Sequence, residues 1–207
     1  MSITLAFTLA AMASLAPERN HDTLGRAIAE RVDAEAPVFA DDADRKKTAA
    51  LMLAVAWREG SFGLRVEGDR VSGATTSWCT MQVNLTPGAR TAEGWTGPEL
   101  RDDPAKCVAV GFRILRYSVR SCSKFPVAVY ASGPGGCANA RAQRISADRM
   151  QIARRLIAVA VLPAKTAFCT PSGAAYRPSP GATLNTRRGH FSTRRLTDAF
   201  SAAEVPS

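Results

Sequence analysis

"DDADRKKTAALMLAVAWREGSFGL", residues 41–64, is the stretch that decides the fold. Its middle is an apolar run at helical spacing: Met52, Val55, Ala56 and Glu59 recur at i, i+3, i+4 and i+7 and share one face. Asp41, Asp42 and Asp44 fall in the expected first turn, where a helix dipole favours acids, and Gly60 ends the run. A helix is therefore expected, with the Glu59 carboxyl at its C-terminal end on the apolar side. The negative end of the dipole and the loss of water both disfavour a charged group there. A carboxylic acid kept protonated serves as a general acid. The plainer reading of Glu59 is a solvated residue at a helix end.

Outward from this run, other segments carry the same period. In "TLGRAIAERVDAEAP", residues 23–37, Leu24, Ile28 and Val32 share a face and Pro37 follows the end. "DDPAKCVAVGFRILRYSVRSC", residues 102–122, is a helix opened by Asp103 and Pro104, with Val108, Gly111, Phe112, Leu115 and Val119 as its buried stripe. "KFPVAVYASG", residues 124–133, gives a short helix closed by Gly133-Pro134-Gly135-Gly136, and "ISADRMQIARRLIAVAVLP", residues 145–163, a last one stopped by Pro163. Residues 60–104 are rich in Gly, Ser, Thr and Pro, with short alternating pieces such as "LRVEG" and "CTMQVNL"; loops and a small hairpin are expected. There is no internal repeat and no strand–helix alternation. The expected class is mainly α, with a small loop and hairpin region.

The two ends differ from this middle. Residues 3–16 of "MSITLAFTLAAMASLAPERN" are nearly all apolar or small, too few to span a bilayer and the right length for the core of a signal peptide. Ala11-Met12-Ala13 and Ser14-Leu15-Ala16 both offer small-x-small cleavage sites, but no Lys or Arg precedes Arg19. Residues 1–16 read as an export leader, or else as a buried N-terminal helix. Residues 17–163 form the domain. Residues 164–207, rich in Pro, Gly, Ser and Arg, read as a flexible basic tail.

The 207-residue chain carries a net charge of +9, mostly from Arg. That favours a polyanionic partner: nucleic acid, anionic lipid or a wall rich in carboxylates and phosphates. A basic-aromatic stripe or nucleic-acid motif is missing, so nucleic acid is not expected. Five cysteines, Cys79, Cys107, Cys122, Cys137 and Cys169, include no CxxC pair, and with two His a metal site is not expected. An exported chain would form two disulfides and leave one thiol; otherwise all are unpaired core cysteines. Cys107 and Cys122 cannot pair if 106–121 is one helix. They would lie about 22 Å apart along it, where a disulfide needs about 7 Å.

Three later stretches give Glu59 its context. Glu59-Gly60-Ser61-Phe62, then Cys79-Thr80-Met81-Gln82, then the helix opened by Asp103-Pro104-Ala105-Lys106-Cys107, then Tyr130-Ala131-Ser132-Gly133-Pro134-Gly135 stand in that order. Their order and spacing over about residues 45–160 resemble the soluble lytic transglycosylases of goose-lysozyme-like fold. The resemblance implies a lysozyme-like α+β domain. It implies a helix ending in the catalytic Glu within an E-S-G-F-like run, then a G-L-M-Q run, a D-P-x-x-N-like helix start and Y-N-A-G-P-G. This chain departs from the pattern at Gly60, Cys79, Thr80 and Ala131 and keeps Glu59, Met81, Gln82, Tyr130, Gly133 and Pro134.

What the resemblance implies is cleavage of the MurNAc–GlcNAc β-1,4 bond of peptidoglycan by one Glu acting as acid and base, giving 1,6-anhydro-MurNAc ends without a cofactor. Glu59 takes the catalytic role; Ser61, Met81, Gln82, Tyr130 and Gly133 take substrate-binding ones. On their own chemistry, Tyr130 holds the carboxyl or steadies positive charge, or is a half-buried structural Tyr. Gln82 bonds a sugar group or braces the backbone. Glu67 and Asp69 are the nearby candidates for the second carboxylate of a hydrolase, and otherwise are surface turn residues. Arg187-Arg188 and Arg194-Arg195 would hold the tail on the wall or simply solubilise it. A periplasmic or extracellular monomer is expected, remodelling the wall or opening it for a secretion apparatus or phage. The alternatives are a lysozyme-type hydrolase and a non-catalytic peptidoglycan-binding or structural protein.

Overall fold

A computed structural model describes residues 2–161 as a mainly helical protein. In chain order the helices are α1 (Ile3–Leu15), α2 (Asp22–Ala34), α3 (Lys46–Gly60), α4 (Gly97–Asp102), α5 (Pro104–Ser121), α6 (Ala128–Ser132) and α7 (Ala140–Val161). Four two-residue strands lie between α3 and α4: β1 (Arg70–Val71), β2 (Ala74–Thr75), β3 (Ser77–Trp78) and β4 (Val83–Asn84). A 3-10 turn, Gly136–Ala138, precedes α7. The basic tail from 164 onward, with Cys169 and the Arg187-Arg188 and Arg194-Arg195 pairs, lies outside the described residues.

α3 is the centre of the core. The spacing of 41–64 suggested one apolar face, but every residue from Thr48 to Ala56 is buried. The reason is that α1, α2 and α7 all pack on it, and a helix apolar on all sides belongs inside. Its start also differs from expectation. The three acids precede the helix, and Asp42 reaches back into it: its buried carboxylate accepts from the N–H of Lys47 at 2.9 Å and of Thr48 at 2.6 Å. It thereby satisfies first-turn donors that would otherwise lack partners. Arg45, at the left-handed N-cap (φ 61°), donates its guanidinium to the carbonyls of Val32 and Glu35, fastening α3 to the end of α2.

α2 buries Leu24, Ile28 and Val32 as its spacing predicts. α5 starts at Pro104, where the Asp103 carboxylate accepts from the N–H of Ala105 at 2.9 Å and of Lys106 at 3.2 Å. α7 starts at Ala140 rather than near Ile145, because Asn139 caps it through bonds from the N–H of Arg141 and Ala142. α4 lies in a stretch expected to be loop. It is built on a capping box in which Thr96 and Glu99 satisfy each other's backbone donors, a pattern present in the sequence.

The segment read as an export leader or a buried helix forms α1. Thr4, Phe7, Thr8, Ala11 and Met12 face inward at three- and four-residue spacing, and the Thr4 hydroxyl donates to Asp33 at 2.6 Å. α1 packs on α2, α3 and α7. Among the described residues no helix is long and apolar enough to cross a membrane.

The hairpin region is smaller than the alternating pieces suggested. β1 pairs with β2 and β3 with β4, both antiparallel, and Glu67 bridges to Trp78. Of "CTMQVNL" only Val83–Asn84 is strand; Cys79–Gln82 is the turn, with Cys79 and Gln82 left-handed at φ 59° and 48°. Two disulfides fasten the site region, as expected of a chain that folds in an oxidising compartment. Cys79–Cys107 (Cα atoms 6.1 Å apart) ties this turn to the start of α5. Cys122–Cys137 (5.7 Å) ties the end of α5 to the turn after α6. Cys107 and Cys122 thus find separate partners at opposite ends of one helix, as its length requires.

Candidate active site

Glu59 occupies the last turn of α3, and the next residue, Gly60, sets how closely that turn meets the hairpin. A Cβ on Gly60 would lie 2.7 Å from Thr80 Cα and 2.8 Å from the Thr80 carbonyl oxygen, so only glycine lets the helix end touch the hairpin turn. The Thr80 hydroxyl completes the contact by donating to the Ala56 carbonyl at 3.4 Å. Beyond Gly60 the chain turns back through two left-handed residues, Ser61 (φ 49°) and Phe62 (φ 59°). Phe62 tolerates this because its ring is buried against Trp57, at 5.2 Å between centroids, and meets His21 edge-on at 5.8 Å. Ser61 is exposed, and its carbonyl accepts from the Arg19 guanidinium.

The Tyr130 stretch joins at the same hairpin turn. The Tyr130 hydroxyl donates to the Met81 carbonyl, and the Tyr130 N–H donates to the Ser118 hydroxyl at 2.9 Å. Burial pushes the Tyr130 phenol well above its ordinary pKa; the Glu59 charge adds to this and the Arg149 charge opposes it. These three side chains therefore share one electrostatic environment. Gly133 ends α6 at φ 77°, ψ −165°, a conformation essentially reserved for glycine, and its carbonyl accepts from the Gly136 N–H at 2.8 Å.

The sequence-predicted residues divide accordingly. Glu59 keeps 24% of its side chain open to solvent, enough for a ligand to reach it. Ser61 and Pro134 are exposed. The Met81 side chain is fully buried and offers the site only its carbonyl. Gln82 donates to the Cys79 carbonyl at 3.0 Å and lies against Gly68, the bracing role of its two readings. Tyr130 is bonded to Met81 rather than to the carboxyl of Glu59.

The carboxyl has another partner, which the sequence did not reveal. Arg149 Nη2 donates to Glu59 Oε1 at 2.9 Å, from a position 90 residues away on α7. Arg149 Nη1 donates to Asp148 Oδ2 at 2.8 Å, and Asp148 Oδ1 accepts from Arg58 at 2.6 Å. The apolar, uncharged setting expected for Glu59 is thus corrected to a guanidinium contact within a four-residue network. Nothing in the spacing of 145–163 marks Arg149, one of several arginines there.

No family model, curated protein or solved structure matches this chain.

Of the two nearby acids, Glu67 has its carboxylate committed elsewhere. Glu67 accepts from Arg101 at 2.8 Å, from Arg70 at 3.1 Å and from the Thr75 hydroxyl at 3.0 Å. The Arg101 and Thr75 bonds hold its carboxyl below the usual range. The Asp69 carbonyl accepts from the N–H and hydroxyl of Thr76, fixing the hairpin. Among the described residues no group of three His, Cys, Asp or Glu is placed to hold a metal. The site offers one solvent-reachable carboxyl at a helix end, beside a glycine that touches the hairpin turn and within electrostatic reach of a buried phenol.

Proposed function

We propose that the protein is a lytic transglycosylase that cleaves the MurNAc–GlcNAc β-1,4 bond of peptidoglycan with Glu59 as its acid and base. One observation carries the proposal: the Glu59, Thr80–Met81 and Tyr130 stretches, apart in sequence, meet through the Gly60–Thr80 contact and the Tyr130–Met81 bond. They are three of the four stretches on which the family resemblance rests.

In the proposed reaction Glu59 gives its proton to the glycosidic oxygen as the C1–O bond breaks, through an oxocarbenium-like transition state. The muramoyl N-acetyl group supports the cation. The muramoyl 6-hydroxyl then attacks C1, and its proton passes to Glu59, which ends as it began. The products are a GlcNAc end with a free 4-hydroxyl and a 1,6-anhydro-MurNAc end; no water is consumed. Ser61 and Pro134 are the proposed sugar-contacting positions, because both are exposed, whereas Gly133, expected to bind substrate, is buried. The three bonds on Glu67 disfavour it as the second carboxylate that a hydrolase needs. The basic chain suits a wall polymer bearing carboxylates and phosphates, and the two disulfides favour action outside the cytoplasm.

The Glu59–Arg149 ion pair favours a second reading, a non-catalytic wall-binding module, because it occupies the carboxyl. Mass spectrometry of a peptidoglycan digest separates the cases. Anhydro ends, lost in Glu59→Gln, are expected. Free reducing ends mean hydrolysis, and binding to sacculi without soluble product means the binding module.

A further inference from the structure

The Arg149 guanidinium is held unequally. Asp148 takes Nη1, and Asp148 is itself held by Arg58. Glu59 takes only Nη2, through one oxygen, not the two-bond fork that makes Arg–carboxylate pairs strongest. Arg149 Nε is buried with no hydrogen-bond partner, an unmet donor on a cation built for planar anions. The pair is also not sealed, since 14% of the Arg149 side chain and 24% of that of Glu59 reach solvent. Arg149 can therefore exchange Glu59 for another carboxylate while Asp148 keeps it in place.

Charge balance gives the exchange a direction. Arg58 and Arg149 against Asp148 and Glu59 sum to zero. An arriving carboxylate adds one negative charge to this part-buried network, and protonation of Glu59 removes it. Tyr130 from α6 also feels the Glu59 charge, and burial keeps it neutral; the hairpin turn approaches next door, at Gly60, through Thr80, which does not titrate. His21 faces Phe62 in the neighbouring turn.

We infer that Arg149 is a positioning residue and an anion receptor: in the free protein it holds Glu59, and a carboxylate of the peptidoglycan peptide stem takes it over on binding, so that Glu59 gains the proton it later donates. The inference rests on the reading above and adds to it a residue, Arg149, that selects the stem carboxylate. Binding of the anion is then linked to uptake of one proton from solvent by Glu59.

The test is calorimetry of the full chain with GlcNAc–MurNAc-tetrapeptide, and with the same compound after its carboxylates are converted to amides, in two buffers of different ionisation enthalpy. The acid form is expected to bind about tenfold tighter than the amide, as a charge-assisted hydrogen bond implies, and to take up close to one proton. Glu59→Gln is expected to keep the preference and lose the proton uptake. Arg149→Gln is expected to lose both, and Arg149→Lys to recover part of the preference. Equal binding of acid and amide by the parent overturns the inference without any variant, as does an undiminished preference in Arg149→Gln or a lack of binding by either compound. Preference with proton uptake but no cleaved peptidoglycan overturns only the transglycosylase reading. Cleavage without the preference overturns only this one.

Discussion

Gly60 and Thr80 touch backbone to backbone: a Cβ on Gly60 would stand 2.7 Å from Thr80 Cα. Neither side yields easily, since Gly60 is in the last turn of α3 and Thr80 in a turn fastened through Cys79 to α5. Gly60→Ser, which matches the residue type of the resembling family, is therefore expected to destabilise the protein by about 1–3 kcal/mol. Urea unfolding measures this, and an unchanged midpoint would show that the turn is free to shift.

Tyr130 makes stability fall in alkali. In the unfolded chain its phenol titrates near 10.0; in the folded protein burial holds it well above that. Between the two values the unfolded chain has shed a proton that the folded one keeps, so unfolding becomes easier as pH rises past about 10. Tyr130→Phe removes this dependence and leaves the Met81 carbonyl without its donor, at about 1–3 kcal/mol near neutrality. Denaturant midpoints of parent and variant, compared at neutral and alkaline pH, are expected to converge as pH rises.

Glu99 works in the opposite direction. Bonds from the backbone and hydroxyl of Thr96, with Lys106 beside it, hold its carboxyl at about 2, down from 4.5. As pH falls from 4.5 towards 2 the unfolded chain takes up a proton that the folded one does not, and stability is lost over that window. Glu99→Gln is expected to flatten the acid limb, seen as melting temperatures that differ from the parent at neutral pH and approach it in acid.

The Cys79–Cys107 link closes a 28-residue span and positions the Met81–Gln82 turn. Replacing both cysteines by Ser is expected to cost about 2–4 kcal/mol in denaturant unfolding. On the proposed function, peptidoglycan cleavage should fall further than stability does, because the turn that meets the end of α3 loses its tie to α5. Full activity at a temperature where the variant is folded would show that the Thr80 and Tyr130 contacts suffice.

Glu59 and Arg149 should be energetically coupled across α3 and α7. A double-mutant cycle with Glu59→Gln and Arg149→Gln, read by urea unfolding, is expected to give about 1–2 kcal/mol, as for a part-buried, hydrogen-bonded pair. Simple additivity would mean that the pair forms too loosely to act as a latch.

Local pattern was enough for much of the fold. Leu24, Ile28 and Val32 marked α2; Asp103-Pro104 marked the start of α5 to the residue; Gly60 and Gly133 marked the ends of α3 and α6. Each signal lies within a few residues of what it governs, through side-chain period, a cap or, at Gly133, a glycine-only backbone angle. Misses occurred where short signals competed: the Thr96–Glu99 capping box opens a helix inside a Gly- and Pro-rich stretch, and Asp42 caps α3 from outside it.

By itself the sequence determined that this chain is mainly helical and that a carboxylate closes its central helix, since both follow from neighbours three or four residues apart. Tertiary structure alone decided what that carboxylate meets. Arg149 is 90 residues from Glu59 and Tyr130 is 49 from Met81, and they meet only because α3 is buried on every side, against α7 on one side and the hairpin turn on another. Side-chain period is written locally along a chain, whereas the partner of a charge is set by which helices the core packs together.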